Sequence, residues 1–257
     1  MDESIWGELP PGPISCLTRQ VGRCRLWARS SRDEWEIAYR HSPSDEAIPD
    51  EGCADDLTWS RYVTVADDRL KTVPALPDRR VIVRPAAPIV ILPGRWGRFF
   101  FRVPLWVRFV SQSGHRQTTM EEIPTRRLAS TWFGGLATGE LCYAIEAPLQ
   151  RELEQLELSE AFAACEVTVR NGSRERLRFE RICVHVEHMR LYQADGRLWT
   201  NEVRVAFRGT DQISQLTFEQ GPPERAGQAD PVCEPRFPAE SGIIKRSFAL
   251  IREIAGM

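Results

Sequence analysis

The sequence predicts a mostly-β protein made of two antiparallel β-sandwich or barrel-like units, with one connecting helix and one C-terminal helix. Three observations carry that reading. Apolar residues recur at every second position over much of the chain, the signature of half-buried strands. Asn-Gly and Asp-Gly dipeptides stand between such runs, as tight hairpins require. Prolines punctuate the apolar stretches, so many short strands are expected rather than a few long ones. The units are expected at 1–125 and 126–257, because 257 residues suffice for two cores without disulfide or metal staples.

Taken in order, residues 23–29 and 34–40 flank the polar turn Ser30-Ser31-Arg32-Asp33, and Trp35, Ile37 and Tyr39 alternate with polar neighbours. This is a hairpin. Residues 42–56, with six acids and two prolines, read as a long exposed loop. Apolar residues then return at period two: Leu57, Trp59, Val63 and Val65; Val81 and Val83; Phe99, Phe101 and Val103; Leu105, Val107 and Phe109.

In the second half, Asn171-Gly172 and Asp195-Gly196 predict two hairpins in a four-stranded antiparallel meander that ends on ISQLTFEQ. The inward parity shifts between Phe179 and Ile182, which predicts a β-bulge near Glu180 and Arg181. Pro148 followed by Leu149, Leu153 and Leu156 predicts a helix near 148–160. Ile244, Phe248 and Ile251 on one stripe predict another near 242–255.

Composition narrows the function classes. A net charge of −2 gives no bias toward nucleic acid or an anionic membrane. The basic residues are nearly all arginine, Lys71 and Lys245 excepted, but they are spread evenly and matched by 36 acids. The start, MDESIWGELPPGP, is no secretory signal, and no apolar run spans a bilayer. Seven cysteines without a CxxC pair predict free thiols in a reducing compartment, hence a cytoplasmic protein.

The chemical motifs are weak. Gly134-Gly135-Leu136-Ala137-Thr138-Gly139 has the glycine spacing of a phosphate loop, but Glu140 and Leu141 stand where a lysine and a hydroxyl are needed. Residues 141–146 alternate like a strand. The reading is therefore a glycine turn feeding a strand, with Glu140 away from any anion. No GxSxG marks a serine nucleophile, and Cys142 reads as a small buried hydrophobe. Paired acids at Asp55-Asp56, Asp67-Asp68 and Glu121-Glu122 read as solvated turns.

Among the four histidines, only His185 and His188 stand near other metal donors. Cys183, His185 and Glu187 share one face of a strand and form the weak candidate metal site, with His188 pointing away unless the strand bulges. Most aromatic residues, Trp35, Trp59, Phe99 and Phe101 among them, fit core positions. Trp96 and Trp132 stand beside glycines and are the exposed candidates.

The stretches STWFGGLATGELCYAIEAPL, PIVILPGRWGRFFFRVPLWVRF and RICVHVEHMRLY resemble the prokaryotic domain-of-unknown-function family 432. The resemblance is carried best by residues 88–220. It implies a strand-rich fold of similar length and supplies no catalytic residues; an association with small mechanosensitive channels makes a membrane-channel protein the partner to look for. The leading expectation is a cytoplasmic, non-enzymatic binding or accessory protein that acts through protein or small-ligand contacts, with no cofactor, no nucleic-acid partner and no direct membrane insertion. The alternative is a metal-binding protein or metal-dependent enzyme with its site around Cys183, His185 and Glu187.

Overall fold

The computed structural model describes residues 5–44, 46–49, 52–53, 56–64, 69–134, 139–146, 148–209, 215–238 and 243–245. The protein is mostly β, and among these residues no helix reaches seven residues. None is long and apolar enough to cross a membrane. By contact the chain forms two compact units and passes between them several times, where the sequence suggests one boundary at 125/126. The first comprises Met1–Ala75, Pro104–Arg127 and Ser159–Ala161; the second comprises Leu76–Val103, Leu128–Leu158 and Phe162–Met257.

The first unit holds two four-stranded sheets with antiparallel pairing throughout. One runs Gly7–Glu8, Arg69–Ala75, Trp106–Ser113, Arg116–Pro124, and the other Ile14–Val21, Cys24–Ser30, Glu34–His41, Ser60–Val63. The expected hairpin is present, with Ser30 opposite Trp35 and Arg25 opposite Arg40. Trp27, Ile37, Leu105, Val107 and Phe109 are buried. The acidic loop is less exposed than its composition suggests, because Ile48 and Leu57 pack on Trp27 and Ala38. Val63 is 89% exposed despite its period-two position, since Ser60–Val63 lies at a sheet edge; Val65 lies outside the described residues.

One expectation fails here. Cys16 and Cys53, 37 residues apart, form a disulfide, and the other five cysteines keep their thiols. Spacing could not reveal the pair, because the loop after Glu34–His41 carries Cys53 back onto the same sheet.

The second unit departs further. A four-stranded sheet runs Ala129–Phe133, Glu140–Ala144, Val81–Val83, Ile182–Val184, with a parallel pair at its centre. An eight-stranded sheet contains Phe162–Asn171, which pairs in parallel with Arg197–Thr200 and with Val203–Phe207, and also pairs with Trp96–Pro104. The Asp195-Gly196 hairpin forms, with φ of 48° and 73° at the two positions.

The Asn171-Gly172 hairpin does not form. Asn171 is fully buried, and its side chain donates to the Ile91 and Glu175 carbonyls while accepting from Ser173. It anchors a loop instead of turning a hairpin. The parity shift at Glu180 and Arg181 is real but is not a bulge. Leu177–Phe179 pairs with Ile89–Ile91, and Ile182–Val184 joins the other sheet beside Val81–Val83.

The helix expected near 148–160 is replaced by ladder bonds and a single 3-10 turn at Leu153–Gln155. Gln150 exchanges backbone hydrogen bonds with Phe100, and Leu149 N–H donates to Arg84 O. Leu153 and Leu156 pack beside Tyr192 and Trp199 without helical backbone, so tertiary contact overrides the leucine periodicity. Within the helix expected near 242–255, Ile243–Lys245 is a strand paired with Gln215–Phe218; 242 and 246–255 lie outside the described residues.

Candidate metal centre

The site grows from the end of a strand in the second unit. Ile182–Val184 is buried along its length and pairs with Val81–Val83. His185 leaves the strand with φ −84° and ψ 68°, and Val186–His188 closes a 3-10 turn through His188 N–H to His185 O and Met189 N–H to Val186 O. In an extended strand, Glu187 and His188 would face opposite ways. The turn folds both back toward His185.

Three donors therefore converge. His185 Nδ1 is 3.4 Å from Glu187 Oε1, and His188 Nε2 is 3.8 Å from the same oxygen. The three ligand atoms lie within 4.8 Å of one another. A tetrahedral zinc ion with bonds of about 2.0–2.1 Å needs donor separations of about 3.3 Å, so the 3.4 Å edge has the required length, the 3.8 Å edge must close slightly, and the third, bounded by 4.8 Å, must close by up to about 1.5 Å.

Burial and hydrogen bonding sharpen the picture. His185 and Glu187 are 3% and 4% exposed. Among the described residues, neither ring nitrogen of His185 has a hydrogen-bond partner, nor does Glu187 Oε2. Buried polar groups are nearly always satisfied, so three open atoms at one place require a reason. His188 Nδ1 is 2.8 Å from Phe237 O, and a carbonyl only accepts, so Nδ1 carries the proton. In the neutral ring this leaves the Nε2 lone pair toward Glu187. A carbonyl on one nitrogen with the other free to ligate is the usual outer-shell arrangement of a metal-binding histidine. Phe237 N–H also donates to Glu187 O, so one residue holds both.

Arg80 borders the cluster. Its Nε is 3.5 Å from Glu187 Oε1, and its guanidinium pairs with Glu140. Burial works against the Arg80 charge, but the Glu140 hydrogen bond and the fields of Glu187 and Glu140 outweigh it and hold the pKa above the ordinary arginine value. Glu140 thus faces a guanidinium. The strand Glu140–Ala144 pairs on both sides, as expected for a turn feeding a strand, although 135–138 lie outside the described residues and Glu146 follows the strand's end.

Of the three sequence-predicted residues, His185 and Glu187 meet and Cys183 does not join them. Cys183 Sγ lies 3.9 Å from Cys142 Sγ, buried with Ile82 and Phe133. The Cys183 thiol lowers the Cys142 pKa by hydrogen bonding, against burial. The same contact, with burial, pushes Cys183 upward. His188 takes the third place. Its only sequence signal is H-x-E-H, which points to one centre only when the strand ends at Val184. Arg80 and Phe237 come from distant segments and carried no signal. Trp96 and Trp132 are exposed, as expected.

Two histidines and a carboxylate form a borderline donor set suited to zinc and other first-row divalent ions, and three protein ligands leave a tetrahedral position for water or a ligand group. No curated protein and no solved structure matches the chain. The model of the family described as "Protein of unknown function (DUF432)" matches residues 5–252, nearly the whole length, and the chain belongs to that family.

Proposed function

We propose that this is a metal-binding β protein that takes one zinc ion on His185, Glu187 and His188. One observation carries the reading: two buried ligands with unpartnered polar atoms meet a third histidine whose far nitrogen is already bound to a carbonyl. Arg80 neutralises part of the surrounding carboxylate charge and fixes Glu187 from the outside. The rival arrangement is an imidazolium–carboxylate cluster without metal. It would pair His185 Nδ1 with Glu187 Oε1 at 3.4 Å and leave Glu187 Oε2 without a partner among the described residues. An accessory role beside a membrane-channel partner rests on the family resemblance alone.

Elemental analysis of protein purified without added metal tests the proposal. The expected result is about one zinc per chain, lost on Glu187→Gln with the circular-dichroism spectrum unchanged. Trace metal in the wild-type protein, together with no rise in melting temperature on adding zinc, would overturn it.

A further inference from the structure

A second site lies on the outer face of the eight-stranded sheet and involves none of the metal ligands. Its floor is set by strand register. Arg170 lies opposite Ala206, which lies opposite Gln215; in the next row Thr168 lies opposite Arg204, which lies opposite Thr217. The bonds from Gly94 N–H to Asn171 O and from Asn171 N–H to Arg95 O bring Trp96 to the Arg170 end. These side chains, with Arg98, line a cleft of about 440 Å³. The opposite face buries Val167, Val169, Val203 and Leu216, so the polar residues are displayed on a rigid support. The small side chain of Ala206 leaves a hollow where its neighbours are long.

Charge and ring chemistry choose the occupant. Arg98 is paired with the buried Glu166 at 2.8 Å, and Arg204 with Glu202 and Glu219, each at 3.2 Å. Arg170 is exposed and makes no ion pair among the described residues. The face thus offers one free guanidinium among compensated charges. Glu202 and Glu219 disfavour a polyanion such as a nucleic-acid strand, whereas a single anionic group is matched. Trp96, 61% exposed, has the Arg98 guanidinium 6.0 Å from its ring centroid and keeps its other indole face for a ring to stack on; Gln215 can donate to a hydroxyl, while the Thr168 and Thr217 hydroxyls, which already donate to Glu202 and to Arg204 O, can accept from one.

We propose that this cleft binds a sugar bearing one anionic group, with the sugar ring on Trp96 and its carboxylate or phosphate on Arg170. Its volume falls in the range of small-ligand sites. The site does not depend on the metal centre.

The test follows the Trp96 indole N–H resonance, assigned with Trp96→Phe, while the full-length protein is titrated with glucuronate, glucose 6-phosphate and glucose. A saturable shift with either anionic sugar, weaker by about tenfold or more in Arg170→Gln and toward glucose, supports the site. The arm that saturates identifies carboxylate or phosphate as the group. Binding by a Glu187→Gln variant is unchanged. No saturable shift with either anion at about 10 mM, or equal binding by wild type and Arg170→Gln, overturns the proposal.

Discussion

The two units differ in how one carboxylate of each, the half-buried Glu36 and the buried Glu187, is answered, and in strand order. In the first, Glu36 lies between Arg29 at 2.5 Å and Arg61 at 2.9 Å, and its pKa falls because the Arg29 hydrogen bond and the two positive fields exceed the cost of burial. The charge is answered by partners already in place. In the second, Glu187 faces Arg80 at 3.5 Å and two histidines, with one oxygen open. A protein that leaves a buried carboxylate and imidazole unanswered forgoes stability there, and such sites are where function collects. Strand order divides the same way: neighbours in the first sheets are mostly near in sequence, while the second unit pairs strands in parallel across long intervals.

Four measurements sharpen or break that contrast. The largest effect belongs to the first unit: reducing Cys16–Cys53 frees a 37-residue loop and is expected to lower stability by about 3 kcal/mol in urea denaturation. No change would mean the crosslink adds nothing to a unit already closed by hairpins. Next, Asn171→Ala strips partners from the Ile91 and Glu175 carbonyls and is expected to cost about 2–3 kcal/mol. A hairpin turn there would tolerate the change at under about 1 kcal/mol.

Alkaline pH acts on both units through buried thiols. Burial pushes Cys24 and Cys165 from 9.0 up to about 12. The unfolded chain therefore releases these protons first as pH rises. Their contribution is complete below pH 9 and falls away between about 9 and 12. Denaturation midpoints should decline across that window, less steeply in Cys165→Ala. The smallest effect carries the opposite sign: in metal-free protein, His185→Leu should leave stability unchanged or raise it by about 1 kcal/mol, since it removes two unsatisfied nitrogens. A loss of several kcal/mol would show that His185 has a structural partner in solution.

The first unit was largely legible because its signals are local. Trp35 and Ile37 alternate with glutamates, and the turn before them closes a hairpin within reach of the eye. Asp195-Gly196 was legible for the same reason. Asn171-Gly172 misled because the same dipeptide that suits a type I′ turn also suits a buried loop anchor, and only the distant Ile91 carbonyl decides between them. The leucines at 149, 153 and 156 satisfied a helical period by chance of packing, while Gln150 was claimed by a strand bridge with Phe100. The site was half legible. Strand parity groups His185 and Glu187, yet it includes Cys183 and leaves His188 pointing away, because parity assumes the strand continues past Val184. One 3-10 turn reversed both assignments.

The most direct test of the metal centre is anomalous scattering from crystals of the zinc-loaded protein, recorded on both sides of the zinc absorption edge. The account predicts a peak enclosed by His185 Nδ1, Glu187 and His188 Nε2. A peak at Cys142 and Cys183 instead, or no peak in zinc-saturated crystals, would contradict it.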